Sequence, residues 1–273
     1  MPASVQLQRT PEVQYVLRIG DTALILAQRL AEWCGHAPVL EEDIALANMA
    51  LDLVGQARAL LTRAGQLEGA HGGQAFDEDQ LAFLRNERDY LNATLAELPR
   101  GDFAFTTLRN LFAATWFKLL WERLRESADA DLAATAGKAV KEARYHQQHA
   151  ADWVVRLADG TEESRTRMVD ALDALWRYTA ELFDDDAVDA AAHASGLGPR
   201  RSALSYQWFA DEQLIRAALR MKLEMLAVAQ VDWRRWSGRC IRRQHNAFGV
   251  DDGDLHYYFT QYVRSRDDRR PVG

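Results

Sequence analysis

Apolar residues along this chain recur at helical spacing, and no segment sustains the strict alternation of a half-buried strand. Glycine (16) and proline (6) are sparse among the 273 residues and fall at apparent boundaries. Both features favour long helices. A first helix is expected from about Gly20 to Cys34, with Leu24, Leu26, Leu30 and Trp33 on its apolar side and Asp21 as its cap; "GHAP" stops it. A second is expected from about Glu41 to Gln66, with three acids in its first turn offsetting the helix dipole. "DEDQLAFLRNERDYLNATLAEL" reads as a third helix. The fourth runs from about Phe105 to Ser127, the fifth from Asp131 to Ala158, and the sixth from Glu162 to Phe183. Short loops between long helices imply an all-α fold, a helical bundle, for which the ferritin-like arrangement of two long antiparallel helix pairs is one candidate.

Composition narrows the classes further. The formal net charge is -7, so no basic face for nucleic acid is expected. Two cysteines, Cys34 and Cys240, cannot build a disulfide framework, which suits a reducing compartment. The start of the chain lacks the apolar core of a signal peptide, and no uninterrupted apolar run approaches the roughly 18 residues of a membrane span. A cytoplasmic location is the expectation.

A ferritin-like bundle holds two metal ions with one Glu from each of two helices and a Glu-x-x-His from each of the other two. "KEARYHQQH", residues 141–149, approaches that motif. Three residues before His146 stands Ala143, where a carboxylate is needed; Glu142 is one position too early. On the second helix, "LDLVGQAR" puts Leu53 and Gln56 at the corresponding spacing. Leucine cannot bind a cation, and a neutral amide is a weak ligand. The plainer reading of His146 and His149 is that of histidines at a helix interface making ordinary hydrogen bonds. Lys141 and Glu142 read as charges on a solvated helix face.

Several long segments resemble the non-catalytic PaaC subunits of phenylacetyl-CoA 1,2-epoxidase: "LRIGDTALILAQRLAEWCGHAP", "EEDIALANMALDLVGQARALL", "DEDQLAFLRNERDY", "KAVKEARYHQQHAADWVVRLADGTEES" and "ALWRYTAELFD". The resemblance implies a ferritin-like, catalytically silent subunit that supports a di-iron catalytic subunit, PaaA, in the ring epoxidation of aerobic phenylacetate degradation. It further implies a reductase among the partners, no cofactor in this subunit, and iron in the catalytic one. PaaA carries a "DEAGH"-like and a "KEESFH"-like motif. On that comparison Leu53, Gln56 and Ala143 replace ligands and His146 survives, leaving no metal site. Trp33, Trp116 and His149 are the candidates for contact with partners, although any one aromatic is more readily core. Two other readings stand beside this one: a metal-dependent oxygenase using Glu142, His146 and His149, and a stand-alone helical binding protein.

The resemblance covers residues 12–197, the expected bundle. Residues 198–273 depart from it: arginine gathers in "WRRWSGRCIRRQH", while "ADEQLIRAALRMKLEMLAVAQ" retains an amphipathic helical pattern. A divergent tail and a shifted reading frame both account for such a change of composition.

Overall fold

The structure is a computed structural model, and it describes residues 5–220. All regular elements among the described residues are helical. Four long helices carry the fold: α1 (Pro11–Ala31), α2 (Leu40–Ala70), α5 (Phe103–Leu124) and α6 (Ala130–Asp159). Between α2 and α5 lie the short helices α3 (Glu78–Phe83) and α4 (Thr94–Glu97). After α6 come α7 (Glu162–Trp176), α8 (Ala187–Ala194), α9 (Ser205–Phe209) and α10 (Glu212–Arg220). Helix α1 packs along α2, α5 packs along α6, and α2 meets α6 to join the two pairs. One continuous apolar core runs through them.

Helix α1 begins nine residues before its expected start. Thr10 accepts from the Val13 amide and Pro11 occupies the first turn, a combination that opens helices. Gly20, read as a boundary from sequence, sits inside α1, because a Cβ there would meet the Leu60 Cβ at 3.2 Å. Glycine is used here for close approach of α1 to α2. Gly65 does the same on α2, where a Cβ would lie 1.8 Å from the Phe76 carbonyl oxygen. Asp21 is therefore not a cap. It is fully buried in mid-helix, forms a bidentate ion pair with the equally buried Arg85, and accepts from the Leu91 amide at 2.9 Å.

The same interaction breaks the expected third helix. Only Glu78–Phe83 is helical at its start, opened by a capping box between Asp77 and Gln80. Beyond it the chain turns so that Arg85 can reach inward. The amides of Leu91, Ala93 and Thr94 are then taken by Asp21, the Thr22 hydroxyl and Glu181. Those donors are spent between elements, so no α-helix forms until α4. The sixth expected helix likewise ends early, at Trp176, and a 3₁₀ turn covers Ala180–Phe183.

No break in packing marks residue 198. Trp208 of α9 is fully buried, and its indole donates to the Phe112 carbonyl of α5 at 3.1 Å. Arg201 pairs with buried Asp189, and Asp211 accepts from Gln147 of α6 at 2.7 Å and pairs with Lys118 of α5. Helix α10 packs on α6 and covers the first part of the amphipathic pattern expected there. The arginine-rich run and Cys240 lie outside the described residues.

Helix α2 is long and apolar enough to cross a membrane by length and composition, although no single apolar run in it is uninterrupted. Less than half of its most apolar window is buried, 44%, while Leu46, Met49, Leu53, Leu60 and Leu61 belong to the core.

Asp21→Ala leaves Arg85 as an uncompensated buried charge and is expected to cost about 3–5 kcal/mol. Urea denaturation measures it, and replacing both partners with apolar residues should restore much of the loss. Trp208→Ala empties a fully enclosed site and is expected to cost about 3–5 kcal/mol. A loss below about 1 kcal/mol would show that α9 contributes nothing to the bundle.

Candidate functional site: the centre of the bundle

The four positions singled out in the two sequence motifs converge on one point. Leu53 and Gln56 of α2, with Ala143 and His146 of α6, line a single internal cavity. Helix α1 adds Leu26 and Leu30, and α5 adds Asn110, Ala113, Ala114 and Phe117. All four long helices thus face the place where this architecture can hold metal. The cavity offers about 20 Å³, room for about one water molecule.

The donor set does not suit a di-iron group. Leu26, Leu30, Met49 and Leu53 present hydrocarbon or thioether, Ala143 a methyl, and Gln56 and Asn110 neutral amides. Among the described residues no carboxylate lines the cavity, whereas the motif requires four to balance the charge of two cations. The one imidazole, His146, is engaged elsewhere: its Nε2 lies 3.0 Å from Asp52 Oδ2. Among the described residues, no three His, Cys, Asp or Glu side chains are grouped to hold a metal ion.

The polar groups around the cavity tie α2 to α6 instead. Gln56 donates its amide to Glu142 at 2.9 Å, and Glu142 in turn lies 3.6 Å from Lys138. The Gln56 carbonyl oxygen is buried without a protein partner, a place one water can fill. His149 Nε2 stands 2.9 Å from Glu42 Oε2, close enough for attraction but without hydrogen-bond alignment. Glu142, His146 and His149, the trio of the oxygenase reading, therefore point to three different partners on α2. Asp52 and Asn110 escaped the sequence reading. Both depend on helix register in space, and no local motif marks either.

Burial pushes the His146 imidazole below its ordinary range, and the facing Asp52 carboxylate only partly opposes this. The folded chain thus favours the neutral ring, as a buried histidine bonding its neighbours would.

Trp33 and Trp116 are core residues, which corrects their reading as partner contacts. Trp33 is 6% exposed and donates to the Thr106 hydroxyl; Trp116 is 4% exposed and donates to the Leu182 carbonyl. Of the three interface candidates, only His149 sits at the edge of the surface. A second hollow, of about 330 Å³, lies among Tyr15, Arg18, Glu181, Asp186, Asp189 and Arg201. Its Arg18–Asp186 and Arg201–Asp189 pairs already satisfy one another. Arg18 holds the Asp186 carboxyl below the usual carboxylate range.

A family model described as phenylacetic acid catabolic protein matches residues 2–240. The chain belongs to the phenylacetic acid catabolic protein family. The match extends past Leu197 into residues beyond those described. Among curated proteins, the chain is similar to the C subunit of 1,2-phenylacetyl-CoA epoxidase from Escherichia coli (strain K12). The two are 49% identical over 197 residues, which is 72% of this chain and 77% of that protein.

Two measurements probe the centre of this family member. Ala143→Glu puts a carboxylate where space exists for one water, and is expected to destabilise the chain by about 3 kcal/mol. The folded-state pKa of His146 is depressed, so its contribution is present above the ordinary value of 6.5 and is lost as pH falls below it. Stability followed by urea denaturation from about pH 7.5 to 5.5 should fall less steeply in His146→Asn than in the parent chain.

Proposed function

We infer that this chain is the catalytically silent subunit of a 1,2-phenylacetyl-CoA epoxidase. In this reading it supports a separate di-iron catalytic subunit in the cytoplasm, with a reductase supplying electrons to that subunit. The observation that carries the reading is the bundle centre: four helices converge there, the two motif positions that should offer acids, Leu53 and Ala143, offer hydrocarbon and a methyl, and Gln56 offers an amide in place of an imidazole. Family membership and the similarity to an epoxidase component supply the reaction and the complex.

The silent role follows from physical chemistry. Oxygen activation at two iron ions requires anionic oxygens to hold them, and the described residues bring none to the cavity. What it keeps is the bundle of four long helices. Its α2–α6 seam is closed by direct side-chain contacts, Gln56 to Glu142 and His146 to Asp52, in the place of metal bridges. A catalytic subunit that must admit a bulky coenzyme A thioester gains from a neighbour whose own helices do not move.

Reconstitution tests this. Omitting the chain from an otherwise complete epoxidase is expected to abolish ring epoxidation, and the purified chain is expected to hold far less than one iron per molecule. Stoichiometric iron within the bundle overturns the reading. So does full epoxidation without the chain.

A further inference from the structure

Two buried amides line the central cavity with hydrogen-bonding capacity to spare. Gln56 of α2 is 4% exposed and Asn110 of α5 is 8% exposed, and both border the space of about 20 Å³. Glu142 fixes which way the Gln56 amide is turned. The Glu142 carboxylate, which also lies 3.6 Å from Lys138, can only accept, so the Gln56 atom 2.9 Å from it is the nitrogen. The atom left over is the Gln56 carbonyl oxygen, enclosed and without a protein partner. The Asn110 side chain likewise finds no hydrogen-bond partner among the described residues. These amides come from different helix pairs, since α2 packs along α1 and α5 packs along α6. A ligand held by both links the two pairs directly.

The lining decides what such a ligand can be. The space exceeds the roughly 10–15 Å³ that one water needs and falls far below what an organic molecule needs. Among the described residues the lining holds no Lys, Arg, Asp or Glu. An anion there would face the Gln56 oxygen, itself an acceptor, and a cation would lack a counter-charge in a low-dielectric centre. An apolar gas would suit Leu26, Leu30, Leu53 and Phe117 but would leave both amides unsatisfied, which is costly. Water is neutral, fits the space, donates to a carbonyl oxygen and bonds a second amide in either sense.

We propose that the cavity is a binding site for one ordered water molecule, which donates to Gln56 Oε1 and hydrogen-bonds the Asn110 amide. The water ties the α1–α2 pair to the α5–α6 pair at the point where this architecture can hold metal. Buried waters of this kind bridge otherwise unsatisfied polar groups and are costly to remove. The inference concerns the bundle centre alone and stands apart from the reading of the chain as an epoxidase subunit.

A crystal structure of the full chain tests it. The expected result is a single density peak within hydrogen-bond distance of Gln56 Oε1 and of an Asn110 side-chain atom, unchanged after pressurisation with xenon. A dry apolar cavity takes up xenon. Xenon in the cavity, no peak, or a peak in reach of only one amide overturns the proposal. In solution, nuclear Overhauser transfer from water to the Ala143 methyl group, which lines the cavity, is expected in the parent chain and lost in Asn110→Leu, whose side chain fills the space. Asn110→Leu should also lower the melting temperature by several degrees, although it adds hydrocarbon to an apolar cavity, because Gln56 Oε1 then has no partner. A variant as stable as the parent overturns the linking role. Should Asn110→Leu fail to fold, the density and the Overhauser transfer of the parent chain still decide.

Discussion

Leu53 of α2, Leu26 and Leu30 of α1, and Phe117 of α5 meet around Ala143 and His146 of α6. Everything else in the bundle is arranged about that apolar contact. Two metal ions in such a place demand acids, and those acids demand second partners to orient them. With hydrocarbon instead, the four helices close to leave space for about one water. The association of α2 with α6 then falls to neutral and ionic side-chain pairs at the rim: Gln56 with Glu142, Asp52 with His146, Glu42 with His149.

The second organising feature is the buried pair of Asp21 and Arg85. It explains why the segment between α2 and α5 is a chain of short turns and not a helix. Arg85 must come inward, and the amides that follow it bond to side chains of α1 and of the 3₁₀ turn at Ala180–Phe183. One ion pair therefore sets the path of the chain from Arg85 to Thr94. It also ties α1 to elements far away in sequence.

The distribution of aromatic residues bears on how the chain meets a partner. Trp33, Trp116, Trp121 and Trp208 are all buried, so the large rings stabilise the subunit itself. Aliphatic residues on α2 and the ring of Tyr145 on α6 are what these two helices turn outward.

Periodicity alone located α2, α5 and α6 to within a few residues, because their apolar faces repeat over many turns and their ends carry clear stops. That Leu53 and Gln56 share one face of α2, and Ala143 and His146 one face of α6, was equally legible, since three-residue spacing on a helix is a local property. The start of α1 was not, because Gly20 resembles a boundary until Leu60 is seen pressed against it. The breaking of the third helix, the burial of Trp33 and Trp116, and the partners Asp52 and Glu42 depended on distant contacts. The order of residues determines which side chains share a face of a helix. Only the packing of helices decides what that face meets, because burial and pairing arise between residues that the chain brings together from far apart.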